Sequence, residues 1–114
     1  MNKDELKHRT KQFGLRILRL TNSLPNNTSG RTIANQLARS GTSVGANYRA
    51  ACRARSRAEF ISKLGTVEEE ADESAYWMEM IIEAGLIAKN PVDPLLQEAN
   101  ELTAIMAASR KTAK

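Results

Sequence analysis

A chain of 114 residues, 41% hydrophobic and 26% charged, is the length of one ordinary domain and can bury a core without disulfide or metal staples. Its single cysteine rules out an internal disulfide, its charged start MNKDELKHR has no apolar signal region behind it, and no run reaches the roughly 18 unbroken apolar residues of a membrane span, so a soluble cytoplasmic protein is expected. The net charge of +4 hides an asymmetry: residues 1–63 carry 13 Lys and Arg against 3 Asp and Glu, residues 64–114 carry 4 against 10, and the two parts stand at +10 and −6. Such a division suits either a basic surface for a polyanion or helix pairs that attract each other within or between subunits.

Abundant Ala, Leu, Glu, Lys and Arg with few aromatics favour helix throughout. The first helix is expected over about 3–24, where Leu6, Thr10, Phe13, Ile17, Leu20 and Leu24 share one face at spacings of three and four. Pro25 and the polar run Asn26 to Gly30 end it.

The second helix is expected over about 30–54. Its seam reads Ile33, Leu37, Ser40, Val44, Asn47, Ala51, and the adjacent row reads Ala34, Ala38, Gly41, Gly45, Tyr48, Cys52. Each interior glycine costs up to about 1 kcal/mol against alanine, so Gly41 and Gly45 imply a close helix contact, with a turn at Ser40 to Ser43 the alternative. Gly41, Gly45, Asn47 and Tyr48 are therefore candidates for a packing or oligomer groove, one in which alanine is tolerated and leucine overpacks. Asn47 on an apolar seam must find a hydrogen-bond partner, and it would fix packing register.

Ser56 and Glu59 write a capping box before Phe60 and Ile61, so a third helix should run over about 56–86, roughly 45 Å long. Phe60, Leu64, Val67, Ala71, Ser74, Met78 and Ile81 form its seam, with Gly85 near its end and Trp77 beside it. Glu69, Asp72, Tyr76, Glu79 and Glu83 make a separate acidic stripe. The fourth helix is expected over about 92–110, with Asn90-Pro91 and Asp93-Pro94 as start signals and a frayed tail from Ser109. No repeat or linker divides the chain, and residues 1–114 read as a single all-α domain, an antiparallel up-down-up-down four-helix bundle.

Catalytic chemistry finds no constellation. A di-iron bundle needs Glu-x-x-His pairs, and His8 is the only histidine. The glycine run Ser40 to Gly45 lacks the lysine and preceding strand of a phosphate loop, and Cys52 has no histidine partner to activate it. No enzyme, cofactor or metal is expected. What remains is charge: Arg39, Arg49 and Arg53 on the face opposite the second seam, continued by Arg55 and Arg57, form a candidate phosphate-binding surface. Tyr48 is the one aromatic nearby for stacking bases, so recognition of a particular single-stranded sequence has little support.

The block Gln36 to Arg49 (QLARSGTSVGANYR), then Arg53 to Phe60 (RARSRAEF), then Glu70 to Trp77 (EADESAYW) resembles a bacterial family of four-helix-bundle proteins encoded in intervening sequences of the large ribosomal RNA. That resemblance spans nearly the whole chain. It implies a homopentameric ring of bundles and no carried-over active site. It also implies a more distant kinship with the accessory protein of diversity-generating retroelements, a basic pentamer that partners a reverse transcriptase and binds nucleic acid. Two functions compete on this basis: an oligomeric module that binds RNA or DNA, within a ribonucleoprotein, and a structural or adaptor oligomer whose charges serve subunit contacts only.

Overall fold

The computed structural model covers residues 1–114 and contains four helices, α1 (Lys3–Asn22), α2 (Thr28–Cys52), α3 (Arg57–Glu83) and α4 (Lys89–Ala113), with no strand. Each helix lies against the next in sequence, while α1 and α4 meet far more sparsely. Short connections between long helices make the arrangement antiparallel, in a rod of 44 × 20 × 19 Å.

Local chemistry sets the ends. Asn2, Asn27 and Ser56 each accept a hydrogen bond from the backbone N–H three residues on, at 2.8, 2.8 and 3.1 Å. Because Asn27 is the cap, α2 begins at Thr28, before the expected start near 30. Glu59 completes the α3 cap by accepting from the Arg55 backbone N–H at 3.1 Å. The other end of α3 stops at Glu83, short of the expected 86. There Gly85 at φ 64° lets the Leu86 N–H reach the Ile81 carbonyl and its own N–H reach the Ile82 carbonyl, both at 3.1 Å.

Helix α4 departs most from the sequence reading. Neither Asn90 nor Asp93 caps it; Ala88 does, without a side-chain bond, and the helix starts at Lys89. Pro91 then falls in the first turn, where a missing N–H costs nothing, and Pro94 lies inside the helix. The tail from Ser109 is helical to Ala113, and the Arg110 guanidinium donates to Glu68 of α3 at 2.7 Å, which fastens the segment expected to fray.

Twenty hydrophobic side chains form one core along the four seams. Buried polar groups are satisfied: the Ser40 and Ser74 hydroxyls share a hydrogen bond at 3.0 Å across α2 and α3, and no buried side-chain nitrogen or oxygen lacks a partner. The α2 seam differs from its expected register after Val44. Tyr48 enters the core, and Asn47 is half-buried and donates to the Ser43 carbonyl of its own helix at 2.9 Å. Packing of the large ring decides this: burying an aromatic gains far more than burying an amide that must first find partners.

Candidate nucleic-acid interface

The C-terminal turn of α2 carries Arg49, Arg53 caps the helix, Arg55 sits in the connection, and Arg57 opens α3. All four are exposed, and none takes part in an ion pair. The connection is short because Arg53 and Ala54 donate their N–H groups to Ala50 and Ala51, each at 3.0 Å, closing the last turn before Ser56 starts the next helix. Four cations are thereby confined to one corner of the bundle.

Antiparallel topology adds charges that the linear sequence separates. The N-terminus of α1 and the C-terminus of α4 reach the same end, where Lys3, Cys52, Arg57, Phe60 and Lys114 line one depression of about 600 Å³. The Lys3 ammonium stands 4.9 Å from the centre of the Phe60 ring, a cation–π contact. Lys111 is exposed one turn back on α4. Lys3, Lys111 and Lys114 were missed because two of them belong to the acidic part of the chain; pairing the helix directions would have found them.

Arg39 lies elsewhere. It is roughly 20 Å along α2 from Arg53 at 1.5 Å per residue, and it donates to Glu70 at 3.0 Å and to Glu73 of α3. Glu73 also accepts from the Trp77 indole N–H at 3.1 Å. That bond, with Arg39 beside it, holds the Glu73 carboxyl below the usual carboxylate range. Arg39 thus joins α2 to α3, and it stands apart from the arginines expected to accompany it.

Gly41 and Gly45 are helical, and the turn alternative at Ser40 to Ser43 does not occur. They set the closeness of α1 and α2: a Cβ on Gly41 would lie 2.6 Å from Ile17 Cγ2, and one on Gly45 would lie 3.2 Å from the Thr10 backbone. Alanine is therefore not tolerated at Gly41 without displacement of Ile17, contrary to expectation, because the room was taken by a branched side chain. Tyr48 is 3% exposed, and burial pushes its phenol above the ordinary range, with the neighbouring Cys52 adding to the effect. It offers no platform for a base.

The structure groups no three His, Cys, Asp or Glu side chains where they would hold a metal ion, and no helix is long and apolar enough to cross a membrane. Among protein families, the one described as 23S rRNA-intervening sequence protein matches residues 3–108. A crystal structure at 1.70 Å of a protein of unknown function from the S23 ribosomal protein family of Bacteroides thetaiotaomicron VPI-5482 is similar, with 33% identity and a TM-score of 0.89. That likeness covers 97% of this chain and 99% of the other. No functionally curated protein matches the chain.

Proposed function

The chain belongs to the family of 23S rRNA-intervening sequence proteins, and from that membership we propose that it is a non-enzymatic, homo-oligomeric bundle that associates with RNA through its basic end. The observation that carries this reading is the convergence of unpaired Arg49, Arg53, Arg55 and Arg57 with Lys3, Lys111 and Lys114 at one end of the rod. Guanidinium and ammonium groups without carboxylate partners are free to exchange water and counterions for phosphate oxygens. With the phenol of Tyr48 buried and the half-buried Phe60 ring already under the Lys3 ammonium, contact is to the backbone, and binding follows charge more than sequence.

Arg9 to Glu98 and Arg39 to Glu70, which join the basic and acidic parts within one chain, favour a second reading: a structural or adaptor oligomer whose charge asymmetry serves subunit contacts only. Equilibrium titration of labelled RNAs of unrelated sequence, at several salt concentrations, separates the two. Similar affinities that fall steeply with salt support RNA association; absence of binding at low salt leaves the adaptor reading.

A further inference from the structure

Two exposed ridges on opposite sides of the charge division are complementary. On α1, Leu15 and Leu18 are each 40% exposed and border a groove of about 430 Å³ between α1 and α2, floored by small residues including Gly45 and Ala46 and rimmed by the unpaired Lys11 and Arg49, with Lys7 beside them paired to Asp4 at 3.3 Å. The lack of side chains at Gly14 and Gly45, where the two backbones approach closely, leaves this floor without bulk. On α3, Tyr76 is 52% and Met80 38% exposed, one turn apart on the same face, among Glu69, Asp72, Glu79 and Glu83.

Glu68, Glu70, Glu73, Glu98 and Glu101 are taken by arginines of the same chain, whereas Glu69, Asp72, Glu79 and Glu83 have no partner in it. Tyr76 is moreover held in place, its ring edge-on to Trp77 at 5.1 Å and 75°, while Trp77 is itself hydrogen-bonded to Glu73. A fixed, exposed aromatic flanked by a methionine and unpaired carboxylates is the form of an anchor for a cationic, apolar groove.

We propose that the Tyr76–Met80 ridge of one copy docks in the Leu15–Leu18 groove of the next. The inference rests on the homo-oligomeric reading above and names its surfaces. Because donor and acceptor faces are different, the contact is heterologous, and it closes into a ring or extends as a filament. Arg49, at the groove rim, is taken up by the contact, while Arg53, Arg55 and Arg57 stay outside it, so assembly repeats the remaining basic end in equivalent positions and gives RNA several sites to span.

The test uses two full-length variants, one with the groove blocked (Leu15→Asp with Leu18→Asp) and one with the ridge blocked (Tyr76→Ala with Met80→Asp). Light scattering at micromolar concentration, with circular dichroism to verify helicity, should give a multiple of 12.6 kDa for the unmodified chain and 12.6 kDa for each variant alone. Mixed, the variants should stop at a 1:1 dimer, since one intact groove then meets one intact ridge. A monomeric unmodified chain overturns the oligomeric reading itself. An oligomeric chain whose variants keep its mass, or monomeric variants that fail to pair, overturns the assignment of faces and leaves oligomerisation standing. Should the aspartates unfold a helix, charge reversal decides: Lys11→Glu with Arg49→Glu should dissociate the oligomer, and adding Asp72→Lys with Glu79→Lys should restore it. Failure of that restoration overturns the pairing.

Discussion

Ile17 of α1 lies so closely over Gly41 of α2 that a methyl group on the glycine would meet Ile17 Cγ2 at 2.6 Å, Cγ1 at 2.7 Å and Cβ at 2.9 Å. Gly41→Ala should therefore destabilise by about 1–3 kcal/mol, although alanine is the better helix former. Ile17→Ala also destabilises, by leaving a cavity, but the double variant should cost about 1 kcal/mol less than the two singles together, because each relieves the other. Gly65→Ala serves as the contrast: its Cβ would meet nothing nearer than Arg110 at 3.9 Å, and a gain of about 0.5–1 kcal/mol is expected. Thermal melting of the four variants checks all of these values.

The outcome at these glycines illustrates what could be read from the residues alone. Period and composition made the four seams legible, and the glycine pair announced a close crossing, because both are properties of one helix. Which residue filled the space above Gly41 was not legible, since Ile17 arrives from another helix. The same holds for the register change from Asn47 to Tyr48 and for Arg39 drawn to Glu70 and Glu73. Each depends on which side chains meet across neighbouring helices, and that is fixed by packing rather than by local pattern. Lys3 and Lys114 joining the arginines, by contrast, follows from helix direction in the antiparallel bundle.

Where α1 and α4 meet sparsely, Arg9 spans the gap, donating to Glu98 at 2.7 and 2.6 Å and to Glu101 at 3.0 Å. The Glu98 bonds are partly buried and charge-assisted, so Glu98→Gln should cost about 1–2 kcal/mol. Glu101 is mostly in solvent, and Glu101→Gln should stay within about 0.5 kcal/mol of the unmodified chain. Urea denaturation of both variants is the measurement; equal effects would mean that Arg9 does not discriminate its two partners.

Acid should loosen the α2–α3 seam at Glu73. Its carboxyl is held low by the Trp77 indole and by Arg39, so the folded state favours the ionised form. That stabilisation is complete above the ordinary carboxylate range near about 4.3, and it is lost as pH falls through the lowered folded value. The melting temperature should decline over this acid window, and Glu73→Gln should make the decline shallower. Emission from Trp77, the chain's one tryptophan, should change in the same window for the unmodified chain and remain flat in the variant.

RNA binding at the basic end is tested most directly by the slope of log affinity against log salt for the unmodified chain, for Arg53→Gln with Arg57→Gln, and for Arg39→Gln. If the end of the bundle holds phosphates, the double variant should bind all RNAs more weakly to a similar degree, with a slope flatter by roughly 0.7 to 0.9 for each phosphate it no longer neutralises. Arg39→Gln should lower the melting temperature and leave the slope unchanged, because its guanidinium belongs to Glu70 and Glu73. A double variant with unaltered affinity and slope, or an Arg39→Gln variant that alone abolishes binding, would contradict the assignment of RNA to this end.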